Sequence, residues 1–445
     1  MPTLEYFLKA NDFNPDNALL NYKIGYCYLK TVLKTHAIPY LEKAVELDPD
    51  VKPDLYYLLG RAYHLNHEIE KARINYNYYK SMLSPYDLSV HGPDIKKKHE
   101  ECDNADQLMA NPIRVFIDNL GNEINTSYAE YSPIINGDGS LMFFTSSRDN
   151  TTGGKKDPLD LLWYEDIYIS KHEAGRWISP ENPGKPLNTD SHDAIVGISP
   201  DGKHALIYKG EDNGGDIYSC RIGEDGQWGR PKSLPKEINT EFHETSACFA
   251  PDMSAVYFVS DKEGGYGGSD IYISMVSTKG RNDKLDFDDA VNLGATINSP
   301  YDEEGVCMHP DGKTLYFSSK GDHSMGGYDI FRSVKENGRW SEPENIAYPV
   351  NTADDDVFFS ITADKQYAYY SSVMEGGFGD RDLYMITFLG PEKKPLFINE
   401  YDHLAYKQHP LKETFVKDVV EIKTYQMVVL KGRIIDQLTL SPIGG

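Results

Sequence analysis

Between Asn125 and Tyr384 one unit is written five times. Each copy opens with Asn-Thr or Asn-Ser, at Asn125, Asn188, Asn239, Asn298 and Asn351. Five positions on stands a carboxylate: Glu130, Asp193, Glu244, Glu303 and Asp356. Eight further on comes the Asp of a turn: Asp138, Asp201, Asp252, Asp311 and Asp364. A second apolar run and a glycine-rich loop then lead to Asp-Ile-Tyr or a close variant, beginning at Asp166, Asp216, Asp270, Asp329 and Asp382. The copies recur every 51 to 63 residues, the period of a propeller blade and not of a helical solenoid. A side chain found in every copy builds the copy; departures from the repeat are where function is to be sought.

The fourth copy shows the strands plainly by alternation and turn chemistry. Residues 303–309 read as an inner strand, Pro310-Asp311-Gly312 as a turn with the dihedrals that Pro and Gly supply, 314–319 as a second strand and 329–333 as a third. Gly338-Arg-Trp340 leads into a fourth, and four strands make a blade. The fifth copy stops at Gly390-Pro391 before its fourth strand. An unclaimed strand, Ile113-Arg-Val-Phe-Ile117, precedes the first copy and is expected to complete the last blade, closing a five-bladed ring over residues 112–395. Closure removes two unpaired sheet edges.

Upstream, residues 17–49 carry helical periodicity with Gly25, Tyr28, Ala37, Leu41, Ala44 and Pro49, and the pattern returns 35 residues on as Gly60, Tyr63, Ala72, Tyr76 and Pro85. Two such copies resemble tetratricopeptide repeats, with Phe7, Ala10 and Pro15 matching a second half-repeat and 94–109 a closing helix. Residues 1–111 therefore read as a short helical array that begins inside a longer one. Its concave groove, with Tyr22, Tyr56 and Tyr63, is read either as a peptide-binding surface or as a spacer.

The five carboxylates admit two readings, an acidic ring at a channel mouth or a clamp between blades that accepts backbone N–H groups. Each Asp of Asp-Ile-Tyr reads as an acceptor that fixes the loop before it. His192 and His243 precede ring carboxylates, and alternation points them to the opposite face, so they assemble no metal site. The first copy carries an insertion from Arg148 to Glu165, with Lys155, Lys156, Leu159, Leu161, Leu162, Trp163 and Tyr164. Apolar side chains on a protruding loop seek a partner, in another protein or on this chain's own helices. A second insertion, Ser277 to Asp289, is polar and reads as solvated.

Charge restricts the partners. Residues 112–395 hold 26 basic and 47 acidic side chains, a net of −21 within a chain total of −24. Such a body suits basic proteins or cations and opposes nucleic-acid phosphates. Five widely spaced cysteines form no CxxC pair, and Cys248 and Cys307 read as core residues at equivalent strand positions. No apolar run approaches the ~20 residues of a membrane span.

The propeller units, with Ser199-Pro-Asp-Gly202 and Leu315-Tyr-Phe-Ser-Ser319, resemble the WD-like repeats of bacterial envelope proteins. After a linker at 396–424, residues 425–445 resemble the first strand and turn of a carboxypeptidase-regulatory-like β-sandwich. The expected fold is thus multidomain, a tetratricopeptide α-solenoid, a five-bladed β-propeller and the first strand of a sandwich. That order resembles the Bacteroidetes envelope proteins that end in an OmpA-like peptidoglycan-binding domain, among them type IX secretion and gliding components. The resemblance implies a non-enzymatic periplasmic scaffold at the outer membrane. Its partners would be envelope proteins of a secretion or gliding complex, with peptidoglycan bound only through a domain outside this chain. No catalytic group, cofactor or metal is assigned. The competing readings are a glycan- or calcium-binding module and a glycan-cleaving enzyme. Gly-x-Trp turns at Trp177, Trp228 and Trp340 resemble the sialidase aspartate box, but no inner strand carries an Arg and no GxSxG elbow occurs.

Overall fold

Small residues decide how the helices pack. In a computed structural model, which describes residues 2–390 apart from 159–160, 211–214, 280–284 and 375, α1 (Pro2–Phe13), α2 (Ala18–Tyr28), α3 (Ala37–Leu47), α4 (Leu55–Leu65), α5 (Ile69–Met82) and α6 (Pro85–Ala110) follow one another. A methyl group on Gly25 of α2 would lie 2.5 Å from Leu41 of α3, and one on Gly60 of α4 would lie 2.8 Å from Tyr76 of α5. The two pairs therefore approach as tetratricopeptide helices do, with α1 on α2 as the half-repeat. The last helix is longer than the expected 94–109. Ser84 caps it by accepting from Asp87 N–H and Pro85 takes its first turn, where a missing N–H costs nothing, so the proline that marks the end of one repeat opens the next helix.

The propeller has five antiparallel sheets. Their inner strands are Glu130–Ile135, Ala194–Ile198, Glu244–Phe249, Glu303–Met308 and Val357–Ile361. Each pairs with a buried second strand, which pairs with the Asp-Ile-Tyr strand. The ring closes as expected: Val115–Asn119 pairs antiparallel with Asp382–Phe388, from Val115↔Phe388 to Asn119↔Tyr384. The closing strand lies two residues beyond the expected 113–117, because Ile113 N–H is already spent on Tyr348 O of the fourth blade. The second insertion differs from expectation. It lengthens the third strand of blade 3, with Val276 opposite Phe287, and buries Phe287 in the core between blades 2 and 3. The expected linker at 396–424 and sandwich start at 425–445 lie outside the described residues.

Helices and propeller form one unit over Met1–Gly390. Met325, on the glycine-rich loop of blade 4, is wholly buried within the helical core. His64 of α4 bonds Met325 O at 2.9 Å; Lys97 of α6 donates to Gly321 O at 2.6 Å, and Asn104 donates to Asp322 O and Ser324 O at 2.8 and 2.9 Å. Burial pushes His64 down to about 3, so its ring is neutral and the proton sits on Nε2, where a carbonyl can accept it. Lys97 also lies over the Tyr301 ring at 4.4 Å, and Lys34 pairs with Asp354. If this seam couples the two parts, Met325→Asp, which buries a charge among apolar helices, will split thermal unfolding into two transitions. A single calorimetric transition in that variant would show that the seam couples nothing.

Candidate functional site

Every blade junction uses the same set of bonds. The Asn that opens a copy accepts from and donates to the third strand of the preceding blade: Asn125 on Leu383, Asn188 on Ile167, Asn239 on Ile217, Asn298 on Ile271 and Asn351 on Ile330, all at 2.8–3.0 Å. The next residue, Thr or Ser, gives its N–H and its hydroxyl to the carboxylate of the following blade, as Thr126 does to Glu130 at 2.9 and 2.7 Å. A serine ending the second strand adds a donor in four blades: Ser146, Ser260, Ser319 and Ser372. In blade 2 Lys209 pairs with Asp193 instead. Glu130, Asp193, Glu244, Glu303 and Asp356 are each 0% exposed. They are mortar between blades and line no solvent channel. Burial pushes Glu303 up to about 7 and raises Glu130, Glu244 and Asp356 as well.

The Asp of Asp-Ile-Tyr fixes its loop as expected. Asp270 accepts from Tyr266 and Gly267 N–H, Asp329 from Met325 N–H and Asp382 from Phe378 and Gly379 N–H. The Gly-x-Trp tryptophans wedge against the preceding blade. Trp177 donates to Tyr369 Oη at 3.2 Å, Trp228 meets Phe143 edge-on and Trp340 meets Tyr257 edge-on. Their resemblance to an aspartate box is therefore one of packing.

The groove tyrosines are also used internally. Tyr63 is buried with its hydroxyl on Glu42, Tyr22 donates to Asp54 at 2.8 Å, and Tyr56 packs on Tyr78 with ring centroids 4.1 Å apart. The helices that supply the seam, α4 and α6, hold the chain's own blade 4 loop. The helical array thus also serves as a joint.

The blade 1 insertion is anchored at its base and open at its tip. Arg148 pairs with Glu130 at 3.1 Å and covers the Tyr168 ring at 4.5 Å. His192 spans Glu165 through Nδ1 and Asp157 through Nε2, the latter at 3.0 Å, and meets Tyr164 edge-on at 4.5 Å. Lys156 lies 4.7 Å over Trp163. Leu161 is 66% exposed and Leu162 is 51% exposed; Leu159 lies outside the described residues.

A further set of residues escaped the sequence reading. The residues directly after the clamp carboxylates are Tyr131, Ala194, Thr245, Glu304 and Val357. They ring the channel where the inner strands begin, around a cavity of about 310 Å³. Tyr208, Tyr328, Asp355, Phe358 and Arg381 complete it. The signal lay beside the invariant column: its neighbour takes five different side chains in five blades. Past this chamber the channel narrows to an apolar neck of about 80 Å³ with Ile134, Val196, Val306 and Phe359.

Comparison with known families agrees with the helical array. The tetratricopeptide repeat model matches residues 18–51. Among solved structures, TolB from Acinetobacter baumannii is 14% identical, covering 67% of this chain and 71% of that one, with a TM-score of 0.36. The alpha-L-arabinofuranosidase from Lactobacillus brevis is 14% identical over 63% of this chain and 97% of that one, with a TM-score of 0.35. A thermostable family-43 glycoside hydrolase is 15% identical over 62% and 97%, with a TM-score of 0.38. At these scores the likeness speaks to neither activity nor partner. No curated protein matches the chain.

His192 gives this site a titration. Its bond to Glu165, offset in part by burial and joined by Asp157, raises it to about 9. A histidine raised in the fold contributes stability that is complete below its ordinary value near 6.5 and lost as pH rises through about 9. The insertion is thus pinned at neutral pH and loosened in mild alkali. In a proton-NMR titration the His192 ring should shift near pH 9, and Glu165→Gln should bring the midpoint down toward 6.5; a parent midpoint already at 6.5 would remove the anchor.

Proposed function

We propose that this chain is a non-enzymatic scaffold of the bacterial envelope, placed in the periplasm at the outer membrane. There it would tie a secretion or gliding machine of the type IX kind to the cell wall through an OmpA-like domain. In that role it would resemble PorE. Tetratricopeptide and propeller architectures commonly serve protein–protein contact, and the fold and the repeat match support that much. The observation that carries the reading is the insertion: two exposed leucines on a loop whose base is held by Arg148–Glu130 and His192. Exposed apolar side chains on a fixed support are what an interaction site requires. The acidic propeller body favours a partner with a basic surface around an apolar contact. A non-catalytic role is supported by the five repeated carboxylates, which are all taken up in blade junctions.

The double substitution Leu161→Ser with Leu162→Ser leaves the anchors in place. In pull-downs from envelope extract it should lose, by at least fivefold, the envelope proteins that the parent chain retains. Unchanged recovery would take the insertion out of the interface.

A further inference from the structure

The channel chamber differs from the junctions around it in one respect: its backbone is fixed by the repeat while its side chains are not. The residues before Asp-Ile-Tyr, namely Glu165, Gly215, Ser269, Tyr328 and Arg381, each lend a carbonyl to the N–H of the next blade's clamp residue, at 2.7–3.2 Å. The residues after the clamp carboxylates form the adjoining ring. Two rings of positions are thereby held in place by main-chain bonds alone, and the side chains upon them are free to differ. They differ strongly. Tyr131, Thr245, Glu304, Tyr328 and Arg381 make one part of the wall polar, while Ala194, Val357 and Phe358 make another apolar.

Much of this polar capacity is unused within the protein. Among the described residues the Arg381 guanidinium makes no hydrogen bond or ion pair, and the hydroxyls of Tyr131, Tyr208 and Tyr328 bond nothing. Glu304 accepts from Thr245 Oγ1 at 2.8 Å and from Gly305 N–H at 3.2 Å, and burial raises its carboxyl above the usual range. Asp355 uses one oxygen on Tyr328 N–H at 3.0 Å. Lone donors and acceptors around a cavity are the equipment of a ligand site. Backbone strain adds to this. Every inner strand is bulged at this level, and Ser132 and Phe358 take φ of 53° and 58° there. Bulges and left-handed non-glycine residues persist where a side chain must be aimed.

The wall's charges restrict the ligand. A cation would face Arg381, and an anion would face Glu304 and Asp355. A neutral molecule that both donates and accepts meets all three. Apolar C–H faces on such a molecule would suit the Tyr131 and Phe358 rings, whose centroids are 5.9 Å apart. A cavity of about 310 Å³ lies at the lower end of the roughly 300–1,000 Å³ of small-molecule sites. We propose that the chamber binds one neutral sugar residue, with Arg381, Glu304 and the three tyrosine hydroxyls on its hydroxyl groups and Phe358 and Val357 against its C–H face. This binding is separate from the scaffold role, and either can fail without the other.

Saturation-transfer NMR on the whole chain tests it, with glucose, galactose, mannose, arabinose and N-acetylglucosamine as probes and glycine, lysine and glutamate as zwitterionic comparators. At least one sugar should receive saturation, and Arg381→Met and Glu304→Gln should each reduce that signal at least fivefold at an unchanged melting temperature. Should either variant melt early, Tyr131→Phe keeps the ring and removes only the hydroxyl, and the same loss is expected. No signal from any sugar, a signal equal in parent and variants, or a signal from the amino acids alone would overturn the proposal.

Discussion

The protein depends on one junction made five times. An asparagine holds the blade behind it by both main-chain groups of one residue, and the Thr or Ser that follows holds the blade ahead through a buried carboxylate. Each bond is worth only about 1 kcal/mol net. Leaving a buried carboxylate without donors costs several times more than a bond contributes, so the set is kept whole or lost whole. The ring then closes by lending its first strand to its last blade. Once the junctions set the spacing, the inner strands, the channel and the loops above it follow.

The same geometry explains why the helices sit where they do. The glycine-rich loop of blade 4 is tied below by Asp329, which accepts from Met325 N–H, and above by His64, which takes the carbonyl of the same residue. Met325 thus belongs to two cores at once. Its main chain completes a blade while its side chain completes the helical stack. The helical array thereby serves as a joint to blade 4, and the surfaces proposed for recognition are the insertion of blade 1 and the channel mouth. Both lie at the end of the ring where the inner strands begin.

Much of this was legible in the residues. The blade number followed from counting Asn, carboxylate and Asp columns, and the closing strand followed from the missing fourth strand at Gly390. Gly25 and Gly60 announced close helix pairs because only a missing side chain allows that approach. Other features were not legible, for physical reasons. Tyr63 and Tyr22 look alike in sequence whether they face a peptide or a Glu42 or Asp54 from a neighbouring helix. Phe287 sits among polar neighbours and reveals its burial only through pairing with Val276. The absence of Arg from the inner strands is true of the sequence, yet Arg381 reaches the channel from the position just before the third strand of blade 5. Repetition drew attention to the invariant column, and the variable column next to it held the chamber.

Glu303 and Glu304 are adjacent in the chain and opposite in role, the first in a junction and the second in the chamber. Equilibrium denaturation of Glu303→Ala and Glu304→Ala at one pH therefore compares mortar with recognition directly. Glu303→Ala strips the acceptor from Ser299 and Ser319 and should cost about 2–3 kcal/mol. Glu304→Ala releases the Thr245 hydroxyl and the Gly305 N–H at the cavity wall and should cost less than about 1 kcal/mol. Equal losses, or a larger loss from Glu304, would contradict the account.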